Sequence, residues 1–369
     1  MKLNLLIVED VPRIVSSWEE KIAFYAVEDS PVYTLTPTFV TTLQDAQKAI
    51  EYTTFDAAVV DIRLDEGGDQ TFHGNDVLAE LASKSLTVCA VYTGEPGTEV
   101  VDDHQKDFVR VFQKGEGEIE RILEWLDSKA DMISAIQTMQ DSFNKSMAKA
   151  FTRSIWPRWS YWLNGEQEQD FASQALTRHM ATHLHASFLN DEEVGAHPEE
   201  YFFIPALQEN LDTGDIIQTE GKLEIIVTPR CDMVRSKSNT PTYQLVSLLD
   251  RSEDWAKLEE KLKQRKAEGT PKQITSAQNE IRKFTNHNGE SGGHFIQQFR
   301  MKVNGEDKTF GPFYAQFNVL RSIERTEENT QALLDNRVAS LSNEFVPSLV
   351  ERLGTYFSRI GTPDYSHPE

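Results

Sequence analysis

Acidic, hydroxyl and amino side chains follow four short apolar runs of the sequence. Glu9 and Asp10 follow LNLLIV, Asp61 follows FDAAVV, Thr93 follows LTVCAVY, and Lys114 comes two residues after FVRVF. Runs of this length and composition are typical of strands that are buried on both faces of a parallel sheet. Functional groups of such a sheet gather at the carboxyl ends of its strands. We therefore expect these five side chains to converge on one crevice.

Three carboxylates in one crevice predict a metal site. Carboxylates that lie close together repel one another and raise one another's pKa, unless a hard divalent cation sits among them. Mg²⁺ is the natural candidate, and Asp61 could then act as a carboxylate nucleophile towards a phosphoryl group. The cation would screen the charge of the incoming phosphoryl oxygens. Lys114 would contribute a point charge to the phosphoryl group, and Thr93 a hydroxyl donor.

The elements that must position these residues alternate between strand and helix. Helical stretches separate the runs, at about 13–26, 43–52 and 74–82 and from Gly117 onwards. The segment TLTPTFV at 34–40 supplies a fifth, more exposed strand. This alternation predicts a doubly wound α/β domain with a five-stranded parallel sheet over residues 1–127.

In this order the residues resemble the receiver domain of bacterial response regulators, over about the first third of the chain. The matching positions are the acidic pair Glu9-Asp10, Asp61 in VVDIRL, Thr93 followed by Gly94, and Lys114. The resemblance implies a flavodoxin-like fold in which a histidine kinase phosphorylates Asp61. It also implies that Mg²⁺ is held by Asp10, Asp61 and the backbone carbonyl of Arg63, with Glu9 assisting through water.

Several positions depart from the pattern of that family. The loop after Asp61, RLDEGGDQTFHGND, lacks the expected proline and is several residues longer than usual before Gly74. Gly115 stands where the family usually has proline, and Val111 occupies the place of the aromatic switch residue. The segment between the first helix and the second strand is also extended. We expect intact phosphorylation chemistry without the usual aromatic switch; the alternative is a pseudo-receiver that keeps its pocket without using it.

A long helical pattern follows the first domain. Apolar residues recur at three- and four-residue steps from Ile119 to Phe151, and neither proline nor glycine interrupts them until Pro157. A helix over residues 119–151 could pair with its twin in a homodimer, or it could pack on its own domain. We assign a connecting helix to residues 128–165.

Residues 166–369 are predicted to form a C-terminal α+β domain with a small barrel-like sheet. Hairpins are predicted at 214–229, with a turn at Glu220-Gly221, and at 295–317, with a turn at Asn304-Gly305. Helices are predicted at 167–189, 253–268 and 327–359, the last with a kink or break at Pro347.

Two motifs in this part could carry further chemistry. His179 and His183 have the i, i+4 spacing of zinc ligands, with His185 nearby, but the HExxH signature is absent. Without a third ligand, the simpler interpretation is a polar helix face. Cys231, beside Asp232, could act as a nucleophile if a histidine lay nearby, although free cysteines are more often small buried apolar residues.

Composition narrows the classes of function. With 37 Lys and Arg against 59 Asp and Glu, the net charge is −22, which argues against broad binding to nucleic acid or an anionic membrane. Basic and aromatic residues nevertheless alternate from Lys145 to Trp162. They could stack on single-stranded nucleic acid or bind an acidic partner, although a packed domain junction is the simpler interpretation.

The sequence also predicts a cytoplasmic protein. The two cysteines, Cys89 and Cys231, allow at most one disulfide, which fits a reducing compartment. The opening run MKLNLLIV is too short for a signal peptide, and no later run approaches a membrane span.

Together these observations predict an atypical response regulator that acts through protein interaction or as a buffer of the phosphoryl signal. GDIIQTEGKLEIIVTPRCDM and VASLSNEFVPSLVERLGTYFSRIGTPD are similar to a C-terminal module that accompanies atypical receivers in bacterial anti-phage defence loci, with Arg352 and Arg359 as candidates for partner contact. Two alternatives stay open. One is a receiver-gated enzyme effector acting on nucleic acid or nucleotide, and the other is a DNA-binding regulator. No P-loop, dinucleotide fingerprint or helix-turn-helix signature favours either.

Overall fold

The chain forms two compact units, Met1–Asn190 and Asp191–Glu369. The computed structural model describes residues 1–66, 69–101, 108–163, 169–189, 196–234, 240–285, 292–303 and 305–358. Within these ranges no helix is both long enough and apolar enough to cross a lipid bilayer. The predicted domain boundaries at residues 127 and 165 stay a prediction.

Strands and helices alternate through the first part of the first unit. The elements are β1 (Lys2–Val8), α1 (Pro12–Tyr25), β2 (Thr34–Val40), α2 (Leu43–Tyr52), β3 (Ala57–Val60), β4 (Leu64–Glu66), β5 (Asp69–Thr71), α3 (His73–Lys84), β6 (Val88–Thr93), β7 (Val109–Gln113) and α4 (Glu118–Asp127). Five strands form a parallel sheet in the order β2-β1-β3-β6-β7. Among the strands of this sheet, that is the 2-1-3-4-5 order of flavodoxin-like folds. The predicted fold class is therefore confirmed.

Both faces of the sheet are covered by helices. Because side chains alternate along a strand, Leu5 and Ile7 of β1 pack with α1 and α4, while Leu6 and Val8 pack with α2 and α3. The expectation of burial on both faces does not hold for β7. This strand lies at the edge of the sheet, and Phe112 is its one buried side chain. The long loop after β3 contains the short antiparallel pair β4 and β5.

The helical pattern after Gly117 forms several elements. After α4 come α5 (Ala130–Ala150), a π-helical turn (Phe151–Ile155), a 3₁₀ turn (Trp156–Arg158), α6 (Trp159–Leu163) and α7 (Gln169–Phe188). The predicted uninterrupted helix is wrong at residues 128–129, where α4 and α5 are separated by a turn. The Leu126 carbonyl accepts hydrogen bonds from the Lys129 N–H and from the Tyr33 hydroxyl, both at 2.9 Å. A bond to the third following residue tightens the turn, so α4 ends there.

The start of α5 is fastened to the sheet. Ile133 is buried in the core beneath α1 and α4. The Gln137 amide donates to the Lys2 carbonyl at 2.9 Å and to the Asp56 carboxylate at 2.8 Å, so it holds the helix against the amino ends of β1 and β3. Of the two predicted arrangements for this helix, packing on its own domain therefore applies to its first two turns.

The second unit is built on an antiparallel sheet. Its elements are β8 (Phe202–Phe203), β9 (Asp215–Thr219), β10 (Lys222–Ile226), α8 (Arg230–Val234), β11 (Thr242–Asp250), α9 (Ser252–Glu268), α10 (Pro271–Thr285), β12 (Gly293–Ile296), β13 (Phe299–Val303), β14 (Glu306–Phe310), β15 (Phe313–Glu324), α11 (Glu327–Asp335), β16 (Arg337–Leu341) and α12 (Val346–Phe357). Seven strands pair in the order β12-β15-β11-β10-β9-β16-β8. Within the described ranges this sheet is open, not barrel-like, with β12 and β8 at its edges.

Both predicted hairpins are present. The turn between β9 and β10 places Glu220 at φ 52° and Gly221 at φ 77°, and two successive residues with positive φ are typical of a type I′ turn. The second hairpin is divided into two paired segments. β13 pairs with β14 beside the turn, and β12 pairs with β15 further out. Of its predicted turn residues, Asn304 lies outside the described ranges.

The predicted helix over residues 327–359 is wrong. Its middle, RVASL, is strand β16, which pairs with β9 and β8 and buries Ala339 and Leu341 in the sheet. The pairing of backbone groups inside the sheet overrides the helical spacing of the side chains. Pro347 lies in the first turn of α12, where its missing N–H costs nothing, so it starts a helix and does not kink one. Arg359 lies outside the described residues.

A buried ion pair fastens β16 to β9. The Asp215 carboxylate accepts hydrogen bonds from the Asp212 N–H at 2.8 Å, from the Arg337 guanidinium at 3.2 Å and from the Ser340 hydroxyl. Arg337 also donates to the Gln208 carbonyl at 2.8 Å. Burial raises the pKa of Asp215 despite these partners. Without the guanidinium, the carboxylate would remain in the sheet with no counter-ion.

We predict that Arg337→Met lowers the free energy of unfolding by about 3 kcal/mol, because breaking a buried pair leaves one charge uncompensated. Arg321→Met is the matched control. Arg321 makes an ion pair with Glu224 in the same sheet, and its side chain is 47% exposed, so that loss of this pair should cost about 1 kcal/mol or less. Urea denaturation of both variants measures the difference. Equal losses would contradict a special role for the buried pair.

Candidate functional site

The carboxyl ends of β1, β3, β6 and β7 lie side by side at one edge of the parallel sheet. The ladder of backbone hydrogen bonds continues just past the strand ends. The Asp61 N–H donates to the Val8 carbonyl at 2.9 Å, and the Lys114 N–H donates to the Thr93 carbonyl at 2.8 Å. These bonds fix the backbone at Asp61, Thr93 and Lys114, so their positions follow from the strand register.

A lysine bridges two buried carboxylates at this edge. The Lys114 Nζ lies 2.6 Å from Glu9 Oε2 and 2.7 Å from Asp61 Oδ2. Glu9 and Asp61 are both buried, and Lys114 is mostly covered. Thr93 is also buried, and its hydroxyl oxygen accepts a hydrogen bond from the Glu95 N–H at 3.2 Å. The structure therefore brings Lys114 onto both carboxylates and places Thr93 at the end of the strand next to Asp61.

The pKa values of these groups reflect burial and mutual contact. Burial raises the pKa of Glu9 to about 7, although the hydrogen bond from Lys114 opposes the shift. Burial also raises the pKa of Asp61, again against Lys114. For Lys114, burial lowers the pKa, but the hydrogen bonds to Asp61 and Glu9 outweigh it and the net shift is upward. The ammonium therefore stays charged, and any further positive charge would stabilise the ionised form of both carboxylates.

The residues present fit a divalent cation. Glu9, Asp10 and Asp61 each offer a carboxylate oxygen, and these oxygens lie within 4.8 Å of one another. In the described part of the chain, no other three His, Cys, Asp or Glu side chains come together in this way. Three ionised carboxylates and one ammonium leave two negative charges, which one Mg²⁺ would balance with the oxygen ligands that it prefers.

The backbone after Asp61 folds back onto its carboxylate. The Arg63 N–H donates to Asp61 Oδ1 at 3.3 Å, which brings the Arg63 backbone beside the acidic cluster. The assignment of the Arg63 carbonyl as a metal ligand stays a prediction.

Two features of the site were not anticipated from the sequence. Arg63 makes an ion pair with Glu95, with 2.5 Å between Nη2 and Oε2. Arg63 comes two positions after Asp61, and Glu95 comes two positions after Thr93, at the ends of neighbouring parallel strands. That equal offset is a signal that the sequence could have supplied.

Gly74 is the second unexpected feature. Its N–H donates to the Ile62 carbonyl at 3.1 Å. A Cβ atom built on Gly74 would lie 2.1 Å from the Asp61 carbonyl oxygen and 2.5 Å from the Ile62 Cα. Only a residue without a side chain lets the start of α3 lie this close to the strand end that carries Asp61.

The weaker motifs have different outcomes. His179 and His183 contact each other through Nε2 at 3.2 Å. Cys231 is exposed in α8, in a different compact unit from these histidines, and Cys89 is buried. In the aromatic stretch, Trp156 is 61% and Tyr161 71% exposed, whereas Ile155 is buried.

Comparison with known proteins finds structural neighbours for the first unit. A signal receiver domain from Vibrio parahaemolyticus shares 17% identity over 38% of this chain and 98% of its own, with a TM-score of 0.30. The response regulator TrrA from Thermotoga maritima, in complex with Mg²⁺ and BeF, shares 18% identity over 34% of this chain and 99% of its own, with a TM-score of 0.27. The receiver domain of the sensor histidine kinase PA1611 from Pseudomonas aeruginosa, with magnesium in its active-site cleft, shares 17% identity over 35% of this chain and 99% of its own, with a TM-score of 0.24.

No protein-family model matches the chain. No curated protein matches it either. The identities and TM-scores of these structural neighbours are low. The fold is therefore assigned from the strand order of the sheet itself.

We predict that Gly74→Ala lowers the free energy of unfolding by about 1–3 kcal/mol, the usual cost of an overpacked position, and weakens Mg²⁺ binding because Asp61 is displaced. Gly94→Ala is the control. A Cβ at Gly94 meets no atom within 4 Å, so its effect should stay within about 0.5 kcal/mol. Chemical denaturation and Mg²⁺ titration calorimetry test both variants. An unchanged Mg²⁺ affinity in a folded Gly74→Ala protein would contradict the expected displacement.

Proposed function

We propose that the first unit is the phosphoacceptor domain of an atypical response regulator and that Asp61 receives the phosphoryl group. The observation that carries this proposal is the position of Lys114 between the buried carboxylates of Glu9 and Asp61, with Asp10 within 4.8 Å. The cluster lies at the carboxyl edge of a flavodoxin-like sheet, where ligands of such sheets bind.

The proposed reaction takes its phosphoryl group from a phosphohistidine of a histidine kinase. A carboxylate oxygen of Asp61 attacks phosphorus, so that an O–P bond forms while the P–N bond breaks and its electron pair leaves with the imidazole nitrogen. Asp10, Asp61 and the Arg63 carbonyl would hold Mg²⁺, with Glu9 acting through water. When bound, the cation would reduce the repulsion between Asp61 and the phosphoryl oxygens.

Lys114 and Thr93 would bind the transferred group. The Lys114 ammonium lies 2.7 Å from Asp61 Oδ2 and can attract a phosphoryl oxygen once that group arrives. The Thr93 hydroxyl accepts from the Glu95 N–H, which leaves its own hydrogen to donate, because a hydroxyl can do both.

The output that we propose is protein interaction or buffering of the phosphoryl signal. The support is the departure at Val111, a partly exposed valine on β7 where the related family carries its aromatic switch residue. A role in phage defence rests on the resemblance of the C-terminal stretches alone. Within the second unit, Arg352 donates to the Gly293 carbonyl at 2.9 Å, so this candidate for partner contact already joins α12 to β12.

We predict that incubation with Mg²⁺ and a small phosphodonor adds one phosphoryl group to the wild type and none to Asp61→Asn, because a neutral amide has no anionic oxygen to attack phosphorus. Asp29→Asn, at an exposed position of the same unit, should accept the group as the wild type does. Intact-protein mass spectrometry measures the addition, and chelation of Mg²⁺ should abolish it. Phosphorylation that persists in Asp61→Asn, or its absence from the wild type with both the small donor and a kinase, would refute the proposal.

We also propose that two copies of the chain pair through α5. The apolar residues of α4 are buried, whereas Met139, Phe143 and Met147 of α5 are 40%, 42% and 37% exposed at four-residue steps. Phe143 also contacts the Phe188 ring of α7, with 5.0 Å between the centroids. Asp141 and Lys145 flank Phe143 on α5. Two copies arranged antiparallel about Phe143 would therefore place Asp141 of each helix opposite Lys145 of the other.

We predict that Phe143→Glu abolishes the dimer, because it places a charge at the centre of the apolar contact. Phe24→Glu, which changes another exposed phenylalanine on the first unit, is the control and should leave the dimer intact. Sedimentation equilibrium gives the mass of each variant. A monomeric wild type, or a Phe143→Glu protein that still dimerises, would contradict pairing through α5.

A further inference from the structure

Helix α7 carries a pair of histidines that the proposed phosphorylation chemistry does not use. His179 and His183 stand one helical turn apart, so their side chains leave the same face of the helix. The His179 Nε2 and the His183 Nε2 are 3.2 Å apart. Both rings are accessible to solvent: His179 is exposed and His183 half-buried.

The spacing of the two nitrogens suits chelation. Imidazole nitrogens bind zinc at about 2.0–2.1 Å. Two nitrogens at that distance from one ion and 3.2 Å from each other would make an angle at the metal of about 100°, near the tetrahedral geometry that zinc adopts.

The two rings form a hydrogen bond between their Nε2 atoms, in which one imidazole donates and the other accepts. The ring planes are perpendicular, and the ring centroids are 4.6 Å apart. The two nitrogens therefore already face each other, and an ion that binds both would replace the proton between them.

A neighbouring aromatic ring holds one of the two imidazoles in place. The Trp162 ring packs on His179, with 5.4 Å between the centroids, which limits the rotation of that imidazole before any ligand binds. In the described part of the chain, no third His, Cys, Asp or Glu completes the pair. The remaining positions around an ion would be taken by water.

We propose that His179 and His183 form a binding site for one divalent transition-metal ion of the class that imidazole prefers, with Zn²⁺ as the probe. Such an ion would cross-link one turn of α7. None of the described side chains of this helix is buried, and a helix depends mainly on packing for its stability. The ion would therefore stabilise a helix that has little packing of its own.

The test is a Zn²⁺ titration of the full chain by calorimetry, in saturating Mg²⁺ so that the Glu9, Asp10 and Asp61 cluster is occupied. The wild type should bind one ion per chain. His183→Ala and His179→Ala should each weaken binding by at least about tenfold, since even changes outside the ligand shell cost that much. His185→Ala, on the same helix but two residues further on, should bind Zn²⁺ as the wild type does.

Two results would overturn the proposal. One is a wild type that binds no Zn²⁺ under these conditions. The other is a folded His179→Ala/His183→Ala double variant, checked by circular dichroism, that binds Zn²⁺ as the wild type does. If that remaining binding disappears in Asp61→Asn, the ion belongs to the acidic cluster and not to α7.

Discussion

The first unit depends on the placement of one ammonium group between two buried carboxylates. Glu9 and Asp61 come from different strands, and their charges would repel each other at the edge of the sheet without Lys114 from a third strand. Burial makes both carboxylates harder to ionise, while contact with the lysine makes ionisation easier. The site therefore exists only when β1, β3 and β7 keep their positions. In a parallel sheet, hydrogen bonds with the intervening strand β6 fix that arrangement.

The proximity of Glu9, Asp61 and Lys114 could be expected from the sequence because its signals are local. Each polar residue follows a short apolar run, and parallel strands bring the ends of such runs to one edge. Gly74 and the Arg63–Glu95 pair were missed because their roles depend on distances between segments: the approach of α3 to the Asp61 carbonyl, and the closeness of two loops. The equal offset of Arg63 and Glu95 from Asp61 and Thr93 is a signal for the ion pair, whereas no spacing along the chain encodes the approach of α3 to Asp61.

The same distinction explains the errors elsewhere. The hairpin at Glu220 and Gly221 was predicted correctly because its turn chemistry lies in adjacent residues. The segment 337–341 was predicted as helix, yet it is a strand because β9 and β8 offer unpaired backbone groups on either side of it. The end of α4 likewise depends on the Tyr33 hydroxyl, which approaches Leu126 from far away in the sequence. In both places a partner distant in sequence decided the local structure.

The fastening of α5 to the sheet has a mechanical consequence. The Gln137 contacts lie at the amino ends of β1 and β3, so the helix is anchored at the edge of the sheet opposite the acidic cluster. A displacement at the cluster must travel the length of β1, roughly 20 Å at the usual rise of a strand, before it reaches α5. Beyond the anchor, the helix extends for about another 20 Å at 1.5 Å per residue. A tilt of a few degrees about Gln137 would therefore become a shift of an ångström or more at Ala150, the last residue of α5.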